Sequence, residues 1–160
     1  MTIALEYEGV KGNCTAEGYE DHITCLSVQF GVGRGISMEP GNCSNRESTR
    51  PTITEITLTK EADSSCTSLF KDAVTGNKGT KAVLKFLRTG SDKIDEFMSY
   101  TLENCMISNY SISAEADTPP YETICLSFTK IVVNYNDSDA SNAGGSPQRV
   151  GYDLELAKPL

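Results

Sequence analysis

Alternation between apolar and polar residues dominates the chain. Because successive side chains of a β-strand point to opposite faces, this alternation predicts strands with one buried and one exposed face. The segments that show it begin near Ile3, Ile23, Thr52, Ala82, Ile94, Tyr121 and Val150. About eight strands are therefore predicted, in a mainly β fold built as a two-sheet β-barrel or β-sandwich with one short α-helix.

The stretch that departs from this alternation is residues 57–76, TLTKEADSSCTSLFKDAVTG, which predicts the helix. Its apolar residues recur at helical spacing and are expected to face the core: Leu69, Phe70, Ala73 and Val74. The polar residues just before the helix supply the expected N-cap: Asp63, Ser64 or Ser65. Gly76 is expected to end the helix in the left-handed conformation.

Two predicted strands carry further detail. In residues 23–30 the apolar residues Leu26, Val28 and Phe30 are expected to face inward. The residues between them, Cys25, Ser27 and Gln29, form a polar face that is expected to contact water. In residues 121–136 the apolar face changes parity after Lys130, which is expected of a strand that crosses between two sheets. The last strand is predicted from its alternating apolar residues: Val150, Tyr152, Leu154 and Leu156.

A turn and two loops separate these strands. The turn at residues 90–93 predicts a hairpin whose return strand continues to Ile112, with a bulge near Asn109. Residues 37–51 and 137–147 are long and polar, so both are predicted to be loops.

Charge and length narrow the possible functions. The chain has 160 residues, 22 acidic against 14 basic, and a net charge of −8. Without a run of Lys or Arg, nucleic acid is not an expected partner. The length of the chain predicts one domain, residues 1–160. No apolar stretch resembles a signal peptide or approaches the length of a membrane span, so direct membrane insertion is not expected.

The six cysteines allow an alternative. An even count, together with four N-x-S/T patterns, is compatible with a secreted, disulfide-linked β-sandwich binding module. The chain is not disulfide-dense for its length, which favours small buried or half-buried thiols instead. No CxxC occurs and there is one histidine, so no metal site is expected.

Motifs for catalysis are weak. Gly31, Gly33 and Gly35 follow a strand, but their spacing and Pro40 do not fit a dinucleotide-binding turn. His22 is interpreted as a solvated histidine at a strand edge, because no nucleophile motif accompanies it. We therefore expect no catalytic residue and no cofactor, and an enzyme is the third and weakest hypothesis.

Four segments are distinctive: LTKEAD, the helix SSCTSLFKDAVTG, ETICLSFTKIVVNYN and VGYDLEL. Together they resemble the hemolysin-coregulated protein (Hcp) family, the tube subunits of bacterial type VI secretion systems, which are related in fold to phage tail-tube proteins. The most specific residues lie around the helix and on the late strand: Thr59, Lys60, Asp63, Leu69, Ala73, Gly76, Phe128, Lys130, Val133 and Tyr135. The chain departs from the family at Thr67 or Ser68, where proline is common, and at Val28 and Phe30, where aromatic residues are common.

This resemblance implies a homo-hexameric ring with a wide lumen. Rings of this family stack into a tube inside a contractile sheath, and the tube, capped by a spike, carries effector proteins in its lumen. The protein is then expected in the bacterial cytoplasm before firing and outside the cell afterwards, without a signal peptide.

Two sets of residues are assigned by this resemblance. The extended loop, residues 37–51, is expected to contact the next ring through its charged residues: Glu39, Arg46, Glu47 and Arg50. The alternative is an ordinary surface loop. Ser27 and Gln29 match the lumen-facing side of the second strand, although partial solvation at a monomer surface would give the same pattern.

Overall fold

The computed structural model describes residues 1–37, 40–41, 49–76, 78–90, 93–138 and 144–160. These residues form twelve strands and one helix: β1 (Thr2–Tyr7), β2 (Ile23–Cys25), β3 (Ser27–Gln29), β4 (Val32–Gly33), β5 (Thr52–Ile53), β6 (Ile56–Glu61), α1 (Cys66–Thr75), β7 (Thr80–Thr89), β8 (Ile94–Ser113), β9 (Tyr121–Ser127), β10 (Lys130–Ser138), β11 (Gly144–Asp153) and β12 (Lys158–Pro159). No helix in the described ranges has the length and hydropathy that crossing a membrane requires.

Two antiparallel sheets share strand β8. The larger sheet has the order β12-β11-β10-β8-β7-β1-β2, and the smaller has the order β3-β6-β9-β8. β8 pairs with β7 as far as Cys105 and with β9 from Met106 onward. The two-sheet sandwich predicted from the sequence is confirmed, and in the described part of the chain the sheets do not close into a barrel.

The chain crosses between the sheets at three places. It crosses within β8, between β2 and β3 at Leu26, and between β9 and β10 at residues 128–129. The last crossing agrees with the change of sheet predicted within residues 121–136, but the predicted single strand is two strands, β9 and β10, and the change falls at residues 128–129. The bulge expected near Asn109 is also confirmed, since the register of β8 shifts between Ile107 and Asn109.

The core lies between the sheets and consists of the inward residues of the alternating strands. Cross-strand neighbours such as Leu5 with Leu84 and Ala82 with Leu102 are buried together. Each fully buried leucine contributes about 1.5–3 kcal/mol relative to an exposed one. The alternation read from the sequence therefore corresponds to the main stabilising contacts of the fold.

Helix α1 packs against β8 through one buried side chain, Leu69. The predicted inward stripe is wrong for Phe70 and Val74, which are exposed. The physical reason is that the helix has ten residues and lies against one strand, so little of its surface can reach the core. Gly76 ends the helix with φ 58°, as predicted.

The start of the helix differs from the prediction. Ser65 is the N-cap residue, but it makes no side-chain capping bond to the helix. Instead the backbone N–H of Ser65 donates to Asp63 Oδ1 at 2.9 Å, and the Ser65 hydroxyl donates to the same carboxylate. The carboxylate thus stabilises the turn that precedes the helix rather than the free N–H groups of its first turn.

The predicted second strand is wrong at two positions. Leu26 is 51% exposed rather than inward, and Cys25 is buried rather than on the wet face. The cause is that the chain crosses between the sheets at Leu26, so the set of alternate residues that faces the core is not the same before and after this residue. Ser27 and Gln29, which follow the crossing, are exposed as predicted.

The end of the chain also differs from its prediction. β11 ends at Asp153, and Leu154 and Leu156 lie in the following turn rather than in the strand. Strands β10 and β11 extend into the predicted loop at 137–147, of which residues 139–143 lie outside the described ranges.

Replacing Leu69 with alanine tests the attachment of the helix. We expect the free energy of unfolding to fall by about 2–5 kcal/mol, because the substitution leaves a cavity between α1 and β8. The matched control is Leu156→Ala at an exposed leucine, with an expected change within about 0.5 kcal/mol. Urea unfolding followed by circular dichroism measures both, and equal losses for the two variants would contradict this packing.

Candidate functional site

The outward face of the smaller sheet carries mainly small, uncharged polar side chains, with the Glu61 carboxylate opposite Tyr121 in a further row. The pairing registers place Gln29 beside Thr57, Thr57 beside Cys125, and Cys125 beside Asn109 in one row across the four strands. A second row runs in the same way from Ser27 through Thr59 and Thr123 to Ser111. We call these eight residues the polar wall: Ser27, Gln29, Thr57, Thr59, Asn109, Ser111, Thr123 and Cys125.

The polar wall contacts water along its margins and is half-buried in the middle. Ser27 and Gln29 at one margin, and Asn109 and Ser111 at the other, are exposed. In the middle Thr57 Oγ1 lies 3.6 Å from Cys125 Sγ. These groups donate and accept hydrogen bonds but carry no formal charge, although the chain as a whole has a net charge of −8.

Both margins of the smaller sheet are unpaired edges. In the described ranges β3 pairs with β6 alone, and residues 106–113 of β8 pair with β9 alone. Each edge therefore presents backbone N–H and C=O groups that another strand could bind. The wall and its edges form a surface that can be extended sideways by a further copy of the same sheet.

A buried ionic cluster lies on the opposite face of the same sheet. Lys60 Nζ donates to the Glu122 carboxylate, to Asp63 Oδ1 at 3.0 Å and to the Glu61 carbonyl at 2.9 Å. The Tyr110 hydroxyl donates to the second oxygen of Glu122. Lys60 and Glu122 are completely buried.

Every charged group of this cluster has a partner. The three N–H groups of Lys60 have three acceptors, and both oxygens of Glu122 accept a hydrogen bond. Asp63 precedes α1 by a few residues, where the helix dipole stabilises negative charge. Burial, together with donation to Glu122, raises the pKa of Tyr110 above its usual range. The cluster joins β6, β9, β8 and the start of α1.

Sequence reasoning identified half of this cluster. Lys60 and Asp63 were noticed through the family resemblance, whereas Glu122 and Tyr110 were missed. A signal for Glu122 was present, because it shares the inward parity of Ile124 and Leu126 on β9. Lys60 likewise shares the parity of the buried β6 residues, and two opposite charges at inward positions of separate strands indicate a buried ion pair.

The residues assigned to ring stacking are only partly described. Arg50 is exposed, whereas Glu39, Arg46 and Glu47 lie outside the described residues. A hydrogen bond connects this segment to the chain just before it, since Thr49 N–H donates to the Gly35 carbonyl at 2.9 Å. Arg34 Nε also donates to the Thr49 carbonyl, at 2.8 Å.

The described cysteines comprise two buried and three half-buried residues. The five described cysteines are free thiols, and Cys43 lies outside the described residues. Burial raises the pKa of Cys25 and of Cys105 to about 12, so these two are poor nucleophiles at neutral pH. No group of three potential metal ligands occurs among the described residues.

His22 is less solvated than the sequence suggested. Its ring is largely covered, with Nε2 3.1 Å from Lys85 Nζ and 3.7 Å from the Glu6 carboxylate. Lys85 also donates to Glu6 at 2.8 Å and lowers the pKa of that carboxyl. The histidine is therefore part of a surface ionic network on the larger sheet.

Two sheets sharing one strand, with a single helix against that strand, define a two-sheet β-sandwich protein. A family model described as "Type VI secretion system effector, Hcp" matches residues 5–135. The chain belongs to the Hcp family of type VI secretion proteins, and the resemblance drawn from the sequence is confirmed. No curated protein sequence matches the chain.

Solved structures of this family share the fold. A type six secretion system protein is similar over 99% of both chains, with a TM-score of 0.92 and 22% identity. Hcp1 from Salmonella typhimurium is similar over 99% of this chain and 98% of its own, with a TM-score of 0.77 and 20% identity. A type VI secretion system effector from Yersinia pestis covers 94% of this chain and 98% of its own, with a TM-score of 0.75 and 14% identity.

Removing one partner of the buried ion pair tests the cluster. We expect Lys60→Met to lower the free energy of unfolding by about 3–5 kcal/mol, because Glu122 is left charged and buried. The double variant Lys60→Met/Glu122→Leu should recover part of this loss, since the completely buried Glu122 charge is removed as well, while Asp63 keeps its two hydrogen bonds from Ser65. Denaturant unfolding of both variants measures this, and a double variant less stable than Lys60→Met would contradict it.

A surface ion pair supplies the control for this experiment. Lys130 Nζ lies 3.1 Å from Glu103, and both side chains are partly exposed. Lys130→Met should therefore change the free energy of unfolding by about 1 kcal/mol or less.

Proposed function

We propose that this chain is the structural subunit of a type VI secretion tube, without catalytic activity. Copies form hexameric rings, the rings stack into a secreted tube, and effector proteins travel in the lumen. Besides family membership, one observation supports this proposal: a four-stranded sheet with a polar face has both edges unpaired in the described part of the chain.

The two free edges support head-to-tail assembly. If β8 of one copy pairs with β3 of the next, each copy uses two different edges, and the contact is heterologous. A heterologous contact closes into a ring when the rotation that relates successive copies brings the last copy back to the first. Closure leaves no edge of this sheet open. Strand pairing would thus both build the ring and remove a site of non-specific aggregation.

In such a ring the polar wall lines the lumen, in agreement with the assignment of Ser27 and Gln29. A lumen surface of hydroxyl and amide groups stays hydrated, and the Glu61 carboxylate on the same face adds negative charge beside them. This chemistry suits a channel that must bind effector proteins reversibly and release them.

Stacking is assigned to the loop at residues 37–51. Glu39, Arg46, Glu47 and Arg50 provide both signs of charge, which allows complementary contacts with the next ring. The hydrogen bond from Thr49, within the loop, to Gly35, just before it, connects the loop to the preceding chain. The sheath and spike proteins are further partners, and the protein passes from the bacterial cytoplasm to the exterior when the tube is fired.

Native mass tests the ring directly. Size exclusion with light scattering should give six times the 17.3 kDa subunit mass, and negative-stain images should show annular particles. A monodisperse monomer at all concentrations would contradict the proposed function and would favour the secreted binding module.

Gold labelling tests which face lines the lumen. A maleimide-gold cluster attached to Gln29→Cys should add density inside the annulus in negative-stain averages. The control is Lys81→Cys, an exposed position on the larger sheet, which should add density outside it. Rings of the unsubstituted chain treated with the same label provide the background from native thiols. Density outside the annulus for Gln29→Cys would overturn the assignment of the polar wall.

A further inference from the structure

The outer side of α1 and the end of β8 share an uncovered apolar surface. Phe70 is 55% exposed, Val74 65% and Ile112 61%. The Phe70 ring packs edge-on against Tyr110, with 5.9 Å between the ring centroids. Val74 lies one helical turn beyond Phe70, and Ile112 lies two residues beyond Tyr110 on the same strand face. We call Phe70, Val74 and Ile112 the helix patch.

The helix patch lies beside a free strand edge. Strand β7 stops pairing with β8 at Cys105, which leaves residues 106–113 open on that side. The chain enters β7 directly from α1, and α1 packs against β8. The helix therefore lies next to the edge that β7 vacates, on the sheet face opposite the polar wall.

The other free edge of the same sheet carries matching apolar side chains. On β3, Ser27 and Gln29 belong to the polar wall, so Val28 points to the opposite face. Leu26 directly precedes β3 and its N–H donates to the Thr59 carbonyl at 2.7 Å, so the same alternation places it on the face of Val28. Leu26 is exposed and Val28 is partly buried. Both free edges thus present uncovered apolar groups on the side facing away from the wall.

Continuing the sheet from one copy to the next brings these groups together. When β8 of one copy pairs with β3 of another, corresponding sheet faces align, wall with wall and apolar side with apolar side. We propose that a second copy of this chain covers the helix patch, with Leu26 of the neighbouring copy packed against Phe70. The contact buries apolar surface on both copies and adds to the backbone hydrogen bonds. This inference rests on the proposed ring.

Charged substitutions on the two sides of the contact test this proposal. Phe70→Asp and Leu26→Asp should each convert the hexamer to monomers, because each variant retains only one intact side. Both residues are exposed in the single chain, so circular dichroism should show an unchanged fold. Val74→Asp provides a second variant on the helix side, and Lys71→Asp, an exposed position on the same helix, should remain hexameric.

Mixing the two variants gives a sharper readout. The helix patch of the Leu26→Asp chain is intact and fits the intact β3 edge of the Phe70→Asp chain. Light scattering of the mixture should therefore show a heterodimer of twice the 17.3 kDa subunit mass that does not grow further. Neither variant alone should form this dimer.

The possible outcomes separate the two proposals. Hexamers of both Phe70→Asp and Val74→Asp would overturn the assignment of the helix patch while leaving the ring intact. A mixture that remains monomeric would overturn the head-to-tail match between the patch and Leu26. A monomeric unsubstituted chain would overturn the proposed function, and the helix patch proposal with it.

Discussion

Strand β8 is the element on which the rest of the structure depends, because it belongs to both sheets. It has twenty residues, and its partner on one side changes from β10 to β9 while β7 ends on the other. The first half of β8 closes the core against β7 and β10. The second half forms one edge of the polar wall and supports the helix. The core, the wall and the free edge thus all depend on one strand, β8, that extends beyond the end of its neighbour β7.

The ionic cluster fixes this arrangement where apolar packing alone would allow variation. Lys60 and Glu122 sit at inward positions on adjacent strands, and Tyr110 joins them from β8. A fold with apolar side chains in place of Lys60 and Glu122 could be equally stable, because the free-energy cost of removing two charges from water offsets much of their mutual attraction. Charged groups differ in needing specific partners, so a shifted register would leave them unpaired. We interpret the cluster as the feature that holds β6, β9, β8 and the helix start in one register.

Local parity predicted much of the fold, because alternation within a strand depends only on neighbouring residues. It placed Ser27 and Gln29 on the polar face and located the bulge near Asn109. It failed at Leu26 and Cys25, where a crossing between sheets reverses the inward parity, and the crossing depends on distant strands. The helix stripe failed at Phe70 and Val74 for a related reason: helical spacing shows which residues share a face, but not what covers that face.

The same limit applies to the candidate site. Two residues of the polar wall were assigned from one strand, but the wall consists of two rows across four strands, which only the pairing registers align. Its uncharged character also emerges only in three dimensions, since the chain as a whole is acidic. Acidic copies placed in a ring repel one another, and a contact made of backbone hydrogen bonds and apolar side chains adds no further charge at the junction. In the proposed tube, ring closure rests on strand pairing and apolar burial and stacking rests on the charged loop, so we expect salt to act on the stack more than on the ring.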